Sequence, residues 1–320
     1  MPAPLLISAL LTLGVLFVNG WTDAPNAIAT ALSTRALPYR RAVLLAAVCN
    51  LAGCICATAI SGAVAATIFE LADFSSAPHG ALSALCAAMA AVILWATLAW
   101  RFGLPTSESH ALLAGLSGAA VALQGDLSCL RWEPWCKALL GLFFSLLAGF
   151  LLARFIVNRL PRQRGNYRRW QVAGAALMAF AHGAQDGQKF LGILLLAVSL
   201  AAGGREVRVT LPLILLCALT MALGTALGGR RIIETVGEKL APLTPRAGFA
   251  ADLSGGVCLL ISTLLGAPVS TTHTKAAAIL GAGSAEGQAS RAVAAKLMLA
   301  WLLTFPTCGV LAFGIAKIIL

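Results

Sequence analysis

The chain has 320 residues, of which 59% are hydrophobic and 11% charged, with 23 basic side chains against 12 acidic ones. An ordinary soluble domain has about 25% charged residues, so this chain cannot cover a water-facing surface and reads as an integral membrane protein. A basic excess in a soluble protein would suggest nucleic acid, but here the basic residues fall in short connections between apolar runs, and nucleic-acid binding is set aside.

Residues 1–20 lack a basic leader and a small-residue cleavage pattern, so they read as a first, retained membrane helix. Asp23 and Asn26 follow in a polar cluster, and then Arg35, Arg40 and Arg41. The runs 42–69 and 81–100 are almost free of charge, with Glu70 and Asp73 as an acidic connection and His79 as a loop residue between them. Each approaches or exceeds the roughly 20 residues a spanning helix needs. Cys129 and Cys136 flank a loop placed outside, where a disulfide is an option; the other seven of the nine cysteines lie in apolar sequence and behave as small hydrophobes.

After the run 137–157, Arg154, Arg159, Arg162, Arg164, Arg168 and Arg169 crowd into one central connection. The positive-inside rule places it in the cytoplasm. Runs 209–227 and 297–316 are again apolar, and Arg230, Arg231, Lys239 and Arg246 mark a further inner loop, diluted by Glu234 and Glu238.

A repeat organises the chain. NGWTDAPNA (19–27) matches HGAQDGQKF (182–190), and GLPTSESH (103–110) matches GAPVSTTH (266–273). Asp23 and Asp186, Pro105 and Pro268, Ser107 and Ser270, and His110 and His273 all stand 163 apart. The spacing predicts two homologous halves, 1–160 and 161–320, each with about five membrane segments. An odd number per half inverts one half relative to the other, an architecture of secondary transporters whose sites form at mid-membrane between broken or re-entrant helices.

Pro105 and Pro268 stand before Ser/Thr-rich turns that open new apolar helices, as proline and capping hydroxyls do. The free amides of such a turn make an anion site. Ser107, Ser109, Ser270, Thr271 and Thr272 are therefore the expected anion-binding residues. Asp23 and Asp186 sit in apolar sequence, where a carboxylate costs about 2.5–3.5 kcal/mol on insertion scales. Na⁺, a proton or a pairing with Lys189 would compensate, and Asn26, on the same helical face as Asp23, offers an amide oxygen to a hard cation. His110 and His273 are expected to orient the Ser/Thr turns through ring hydrogen bonds, with proton transfer as the alternative. The four histidines lack metal-ligand spacing, and His182, aligned with Asn19, is given a packing or hydrogen-bonding role.

These four motifs, in this order and spanning both halves, resemble the duplicated signatures of the inorganic phosphate transporter (PiT) family. The resemblance implies an all-α inverted-repeat symporter, not an enzyme. It would move inorganic phosphate with H⁺ or Na⁺ through the cell membrane, without a cofactor and as a homo-oligomer among lipid. It assigns Ser107, Ser109, Ser270, Thr271 and Thr272 to phosphate, and Asp23, Asn26 and Asp186 to a cation or proton, with Gln188, His110 and His273 in support. Two residues depart from the family pattern. Lys189 replaces the second asparagine and should exclude one Na⁺, and its DGQK context is similar to that of the proton-coupled bacterial branch. Glu108 stands where Ser or Thr is usual, and is expected to be protonated when anion binds, to pair with Lys189, Lys275 or Arg101, or to turn away.

Sulfate is the rival substrate because it is also tetrahedral. An intramembrane hydrolase using Ser107 or Ser270 with the histidine three residues on, and a passive anion channel, are the readings from other classes.

Overall fold

The computed structural model describes residues 3–74, 79–162, 166–205 and 207–320, the side chains of Arg231, Glu234 and Glu238 excepted. Arg164 and those three side chains therefore lie outside the described residues.

Helix α1 (Ala3–Thr22) passes into α2 (Pro25–Ser33) through a break at Asp23 and Ala24. Pro25 causes the break, because it has no amide for the helical ladder and its ring crowds the preceding turn. The amides of Asp23 and Ala24 both turn to the Asn19 carbonyl, at 2.9 and 3.2 Å. Then follow α3 (Tyr39–Ile60), the short α4 (Ala63–Phe69), α5 (Ala81–Arg101), α6 (Glu108–Gln124) and α7 (Trp132–Arg159). The second part holds α8 (Tyr167–Ala201), α9 (Leu211–Leu227), α10 (Arg230–Ile233) with a π-helical turn after it, α11 (Pro245–Leu264), α12 (Thr271–Ala285) and α13 (Arg291–Ile319).

The break beside Asp23 has no counterpart beside Asp186. At the position 163 after Pro25 stands Gln188, which keeps its amide, and α8 is one unbroken helix of 35 residues that runs through Asp186.

Among the described residues, the segments Ala3–Ser33, Tyr39–Ile60, Ala81–Arg101, Trp132–Arg159, Pro245–Leu264 and Arg291–Ile319 are long and apolar enough to cross a membrane. Their outer faces carry Leu44, Leu140, Phe143 and Leu302, each more than half exposed. This is an all-α integral membrane protein, and lipid is the solvent for those side chains.

Long α8 lies at the centre, packed along α3 and α11 and touching α1, α2 and α4. Lipid gives helices little hydrophobic reason to associate, so small residues that admit close approach drive the packing. At the α3–α8 crossing a Cβ on Gly183 would stand 2.1 Å from the Asn50 carbonyl oxygen, and one on Gly53 would stand 1.9 Å from that of Phe180. The same crossing sets His182 against Asn50, Nδ1 to Oδ1 at 3.0 Å. Cys129 and Cys136 are both free thiols, and Cys129 Sγ donates to the Asp126 carbonyl at 3.3 Å, so no disulfide joins them.

Candidate functional site

Two helix beginnings meet at the centre of the bundle. Ser107 is the N-cap of α6, and its hydroxyl accepts from the His110 amide at 3.1 Å; Ser270 caps α12 and accepts from the His273 amide at 3.2 Å. Each hydroxyl serves as acceptor and keeps its own hydrogen for another partner. The turns are joined directly, because Ser109 Oγ donates to the Val269 carbonyl at 3.2 Å.

The histidine rings do something other than the expected orientation of these turns. It is the backbone amide of each histidine that binds the serine. The rings meet edge to face with centroids 4.3 Å apart, and His110 lies against Phe305 and His273 against Trp301. Both ring nitrogens of His110, and Nε2 of His273, have no hydrogen-bond partner among the described residues. The rings line an apolar cavity of about 360 Å³ with Leu146, Phe150 and Trp301.

The break between α1 and α2 delivers Asp23 to the start of α12. Thr272 Oγ1 donates to Asp23 Oδ1, Asn26 Nδ2 donates to the same oxygen at 2.6 Å, and Thr271 Oγ1 lies 3.0 Å from Asp23 Oδ2. Thr271 Oγ1 is also 3.3 Å from Asp186 Oδ2, so one hydroxyl hydrogen faces both acids. Asn26 Oδ1 is buried without a partner among the described residues. Asp23, Asn26, Thr271 and Thr272 are all buried.

Asp186 is held differently. Lys189 Nζ donates to its Oδ1 at 2.6 Å, and also to Ser109 Oγ at 2.6 Å and to the Val269 carbonyl at 2.5 Å. The ammonium thus neutralises Asp186, through the lysine pairing that was one of three compensations open to that acid, and ties α8 to both turns. Asn19 Nδ2 adds a bond to Asp186 Oδ2 at 3.0 Å, while His182 Nε2 lies 3.4 Å from Asp186 and 4.0 Å from Asp23. Asp23, His182 and Asp186 bring ligand atoms within 4.8 Å of one another.

Glu108 does not pair with a lysine. Lys189 is taken by Asp186, Lys275 by Asp252, and Arg101 ends α5 as an exposed residue. Glu108 Oε1 accepts from Thr22 Oγ1, and Oε2 has no partner among the described residues. Being buried at the first position of α6, Glu108 also does not turn outward. Gln188 leaves the cluster, its Oε1 accepting from the Val64 amide at 3.2 Å where α4 begins. That position follows from the unbroken α8, which rotates residue 188 away from Asp186.

Sequence reading missed Asn19, Thr22 and the bridging place of His182. The offset of 163 that pairs Asn19 with His182 was the available signal, because each reaches the acid of the other half.

A profile described as the phosphate transporter family matches residues 19–166 and 157–312. A Bacillus subtilis (strain 168) protein called a probable low-affinity inorganic phosphate transporter is 32% identical over 320 residues, covering 95% of this chain and 94% of the relative. A Rhizobium meliloti (strain 1021) protein of the same description is 34% identical over 314 residues, covering 92% and 90%. A solved structure titled "The sodium-dependent phosphate transporter" shares the fold, with a TM-score of 0.87 over 98% of both chains at 22% identity.

Proposed function

Because the chain belongs to the phosphate transporter family, we propose that it is a secondary carrier that moves inorganic phosphate across the cell membrane in symport with H⁺ or Na⁺. The observation that carries this reading is the engagement of Thr271 and Thr272 with Asp23.

While those hydroxyls donate to a carboxylate, they cannot donate to an anion. A cation on Asp23 supplies the charge the hydroxyls now compensate, and frees them to turn toward phosphate beside the α6 and α12 first turns. Cation and anion therefore help each other to bind, which is the coupling free energy that symport needs. Ser107, Ser109, Ser270, Thr271 and Thr272 supply neutral donors and helix-start amides, which hold an anion and still release it.

Asp23, Asn26 and Thr272 offer the oxygen ligands that Na⁺ prefers. At Asp186 the ammonium of Lys189 already stands, so a second Na⁺ there would meet a like charge. This favours H⁺ as the coupling ion, with Asp23 and Glu108 as carriers of the proton. Glu108 and Asp23 also give hydrogen-bond acceptors, which suit protonated phosphate better than sulfate.

The two halves, 1–160 and 161–320, are on this reading inverted repeats, with the central basic connection in the cytoplasm and the carrier a homo-oligomer. Element bounds support the repeat: adding 163 to the start of α6 gives the start of α12, and adding it to the end of α5 gives the end of α11. A serine hydrolase is disfavoured because Ser107 and Ser270 bond backbone amides rather than imidazole nitrogens.

Uptake of labelled phosphate into proteoliposomes, under imposed pH or Na⁺ gradients and with excess sulfate, tests the proposal. Accumulation against the phosphate gradient that sulfate does not suppress is the expected result. Equilibration alone would indicate a channel, and competition by sulfate would reassign the substrate.

A further inference from the structure

A second buried ion pair lies one helical turn from the Asp23 cluster, toward the C-terminal end of α2. Lys275 Nζ donates to Asp252 Oδ1, Thr30 Oγ1 donates to the same oxygen at 2.6 Å, and Lys275 Nζ is 3.2 Å from Thr30 Oγ1. Asp252 and Lys275 are fully buried, and Asp252 Oδ2 has no partner among the described residues. Neither residue belongs to the repeated motifs: the positions 163 earlier are Met89 and Leu112.

The pair stands on a polar file. Asn26, Thr30 and Thr34 recur every fourth residue along one face of α2 and its C-cap, all buried. Asn26 Nδ2 reaches Thr272 at 3.3 Å, Thr30 reaches Asp252, and Thr34 Oγ1 donates to Gln171 Oε1 at 2.7 Å. Beyond Thr34 the chain emerges at exposed Arg35. Lys275 is three residues after Thr272 on α12, so the station and the anion turn share one rigid helix.

A buried ion pair stabilises no better than apolar side chains of the same size, so stability alone does not account for it. Resting on the carrier reading, we propose that Asp252 and Lys275 form a proton station on the inward side of the site, through which the coupling proton leaves. Asp252 takes the proton at Oδ2, giving a neutral acid beside the Lys275 ammonium. Loss of that proton to inner water restores the carboxylate and the ion pair, so one proton passes and nothing else is consumed. Lys275 of α12 is the one charge acting on Asp252 among the described residues; α2 presents Thr30, and α8 presents Gly174, where a Cβ would stand 2.9 Å from that of Asp252. Of the other charged groups on the packed elements, Lys189 pairs with Asp186, Arg246 of α11 pairs with Glu286, Arg154 of α7 donates to Ser284, and Glu133, Lys137, Arg159, Arg168 and Arg169 are exposed.

The test uses the full chain in proteoliposomes with two readouts, phosphate exchange at equal pH and phosphate accumulation with proton influx under an imposed pH gradient. Asp252→Asn, and the double variant Asp252→Asn/Lys275→Met that leaves no unpaired charge, should keep exchange within about threefold and lose accumulation and proton influx by about tenfold or more. Asp252→Glu should restore both. Exchange and accumulation falling in proportion, accumulation persisting, or neither neutral variant folding would show a structural pair and overturn the inference. Wild-type protein that exchanges phosphate but accumulates it only with Na⁺ would overturn this inference and leave phosphate carriage standing; wild-type protein without exchange would overturn carriage itself.

Discussion

Lys189 Nζ stands 2.6 Å from Asp186 Oδ1, one turn along α8, and fills in the second half the place that Asn26 holds beside Asp23 in the first. An amide leaves room for a cation, and an ammonium is one. The two motifs thus differ in charge as well as in backbone, and on the carrier reading proposed above the single open cation place is at Asp23.

Lys189→Asn should open the second place. Asp186 would lose its built-in counter-charge and require a mobile one, so phosphate uptake should become Na⁺-dependent, falling by about tenfold when choline replaces Na⁺. Uptake that remains indifferent to Na⁺ would show that Lys189 does not decide ion selectivity.

Asp23→Asn tests the coupling of Thr271 and Thr272 to cation binding. Asparagine leaves the hydroxyls only a neutral acceptor and no charge for a cation to answer, so exchange of phosphate should persist while gradient-driven accumulation drops by about tenfold. Loss of exchange in step with accumulation would mean that Asp23 only holds the α1–α2 break in shape.

Glu108→Gln should flatten the pH profile of uptake. The carboxylate form repels phosphate and the acid form does not, so uptake is expected to fall as rising pH ionises Glu108. Glutamine keeps the acceptor for Thr22 Oγ1 and cannot ionise, so the alkaline decline should disappear while acid-side uptake stays. An unchanged profile removes Glu108 from the coupling scheme.

Gly183→Ala is a stability prediction. The added methyl would sit 2.1 Å from a backbone oxygen of α3, which cannot rotate away as a side chain can. Overpacking of this kind costs about 1–3 kcal/mol or more. Thermal unfolding in detergent should show a clear drop in midpoint, and an unchanged midpoint would mean that the α3–α8 crossing adjusts at no cost.

Much of the site was legible because its chemistry is local. A proline followed by a capping hydroxyl specifies a helix start wherever it occurs, so Ser107 and Ser270 cap α6 and α12 as the motifs predict. The break at Asp23 follows in the same way from Pro25. The roles of the histidine rings, of Gln188 and of the Asp252–Lys275 pair were not legible. Each depends on which side chain from a distant segment arrives opposite, and the repeat gives no hint of it where the halves differ.

The sequence by itself determined the solvent, the helical class, the position of the helix starts and the presence of two acids that apolar surroundings must compensate, since composition and single-turn geometry decide these. Only the tertiary structure decided how compensation is shared: Lys189 goes to Asp186, Thr272 and Asn26 to Asp23, and Lys275 to Asp252. The reason is physical. In a lipid-solvated bundle a buried charge takes whichever partner close helix packing brings within hydrogen-bond reach, and that choice is made by crossing points such as Gly183 against Asn50 rather than by neighbours along the chain.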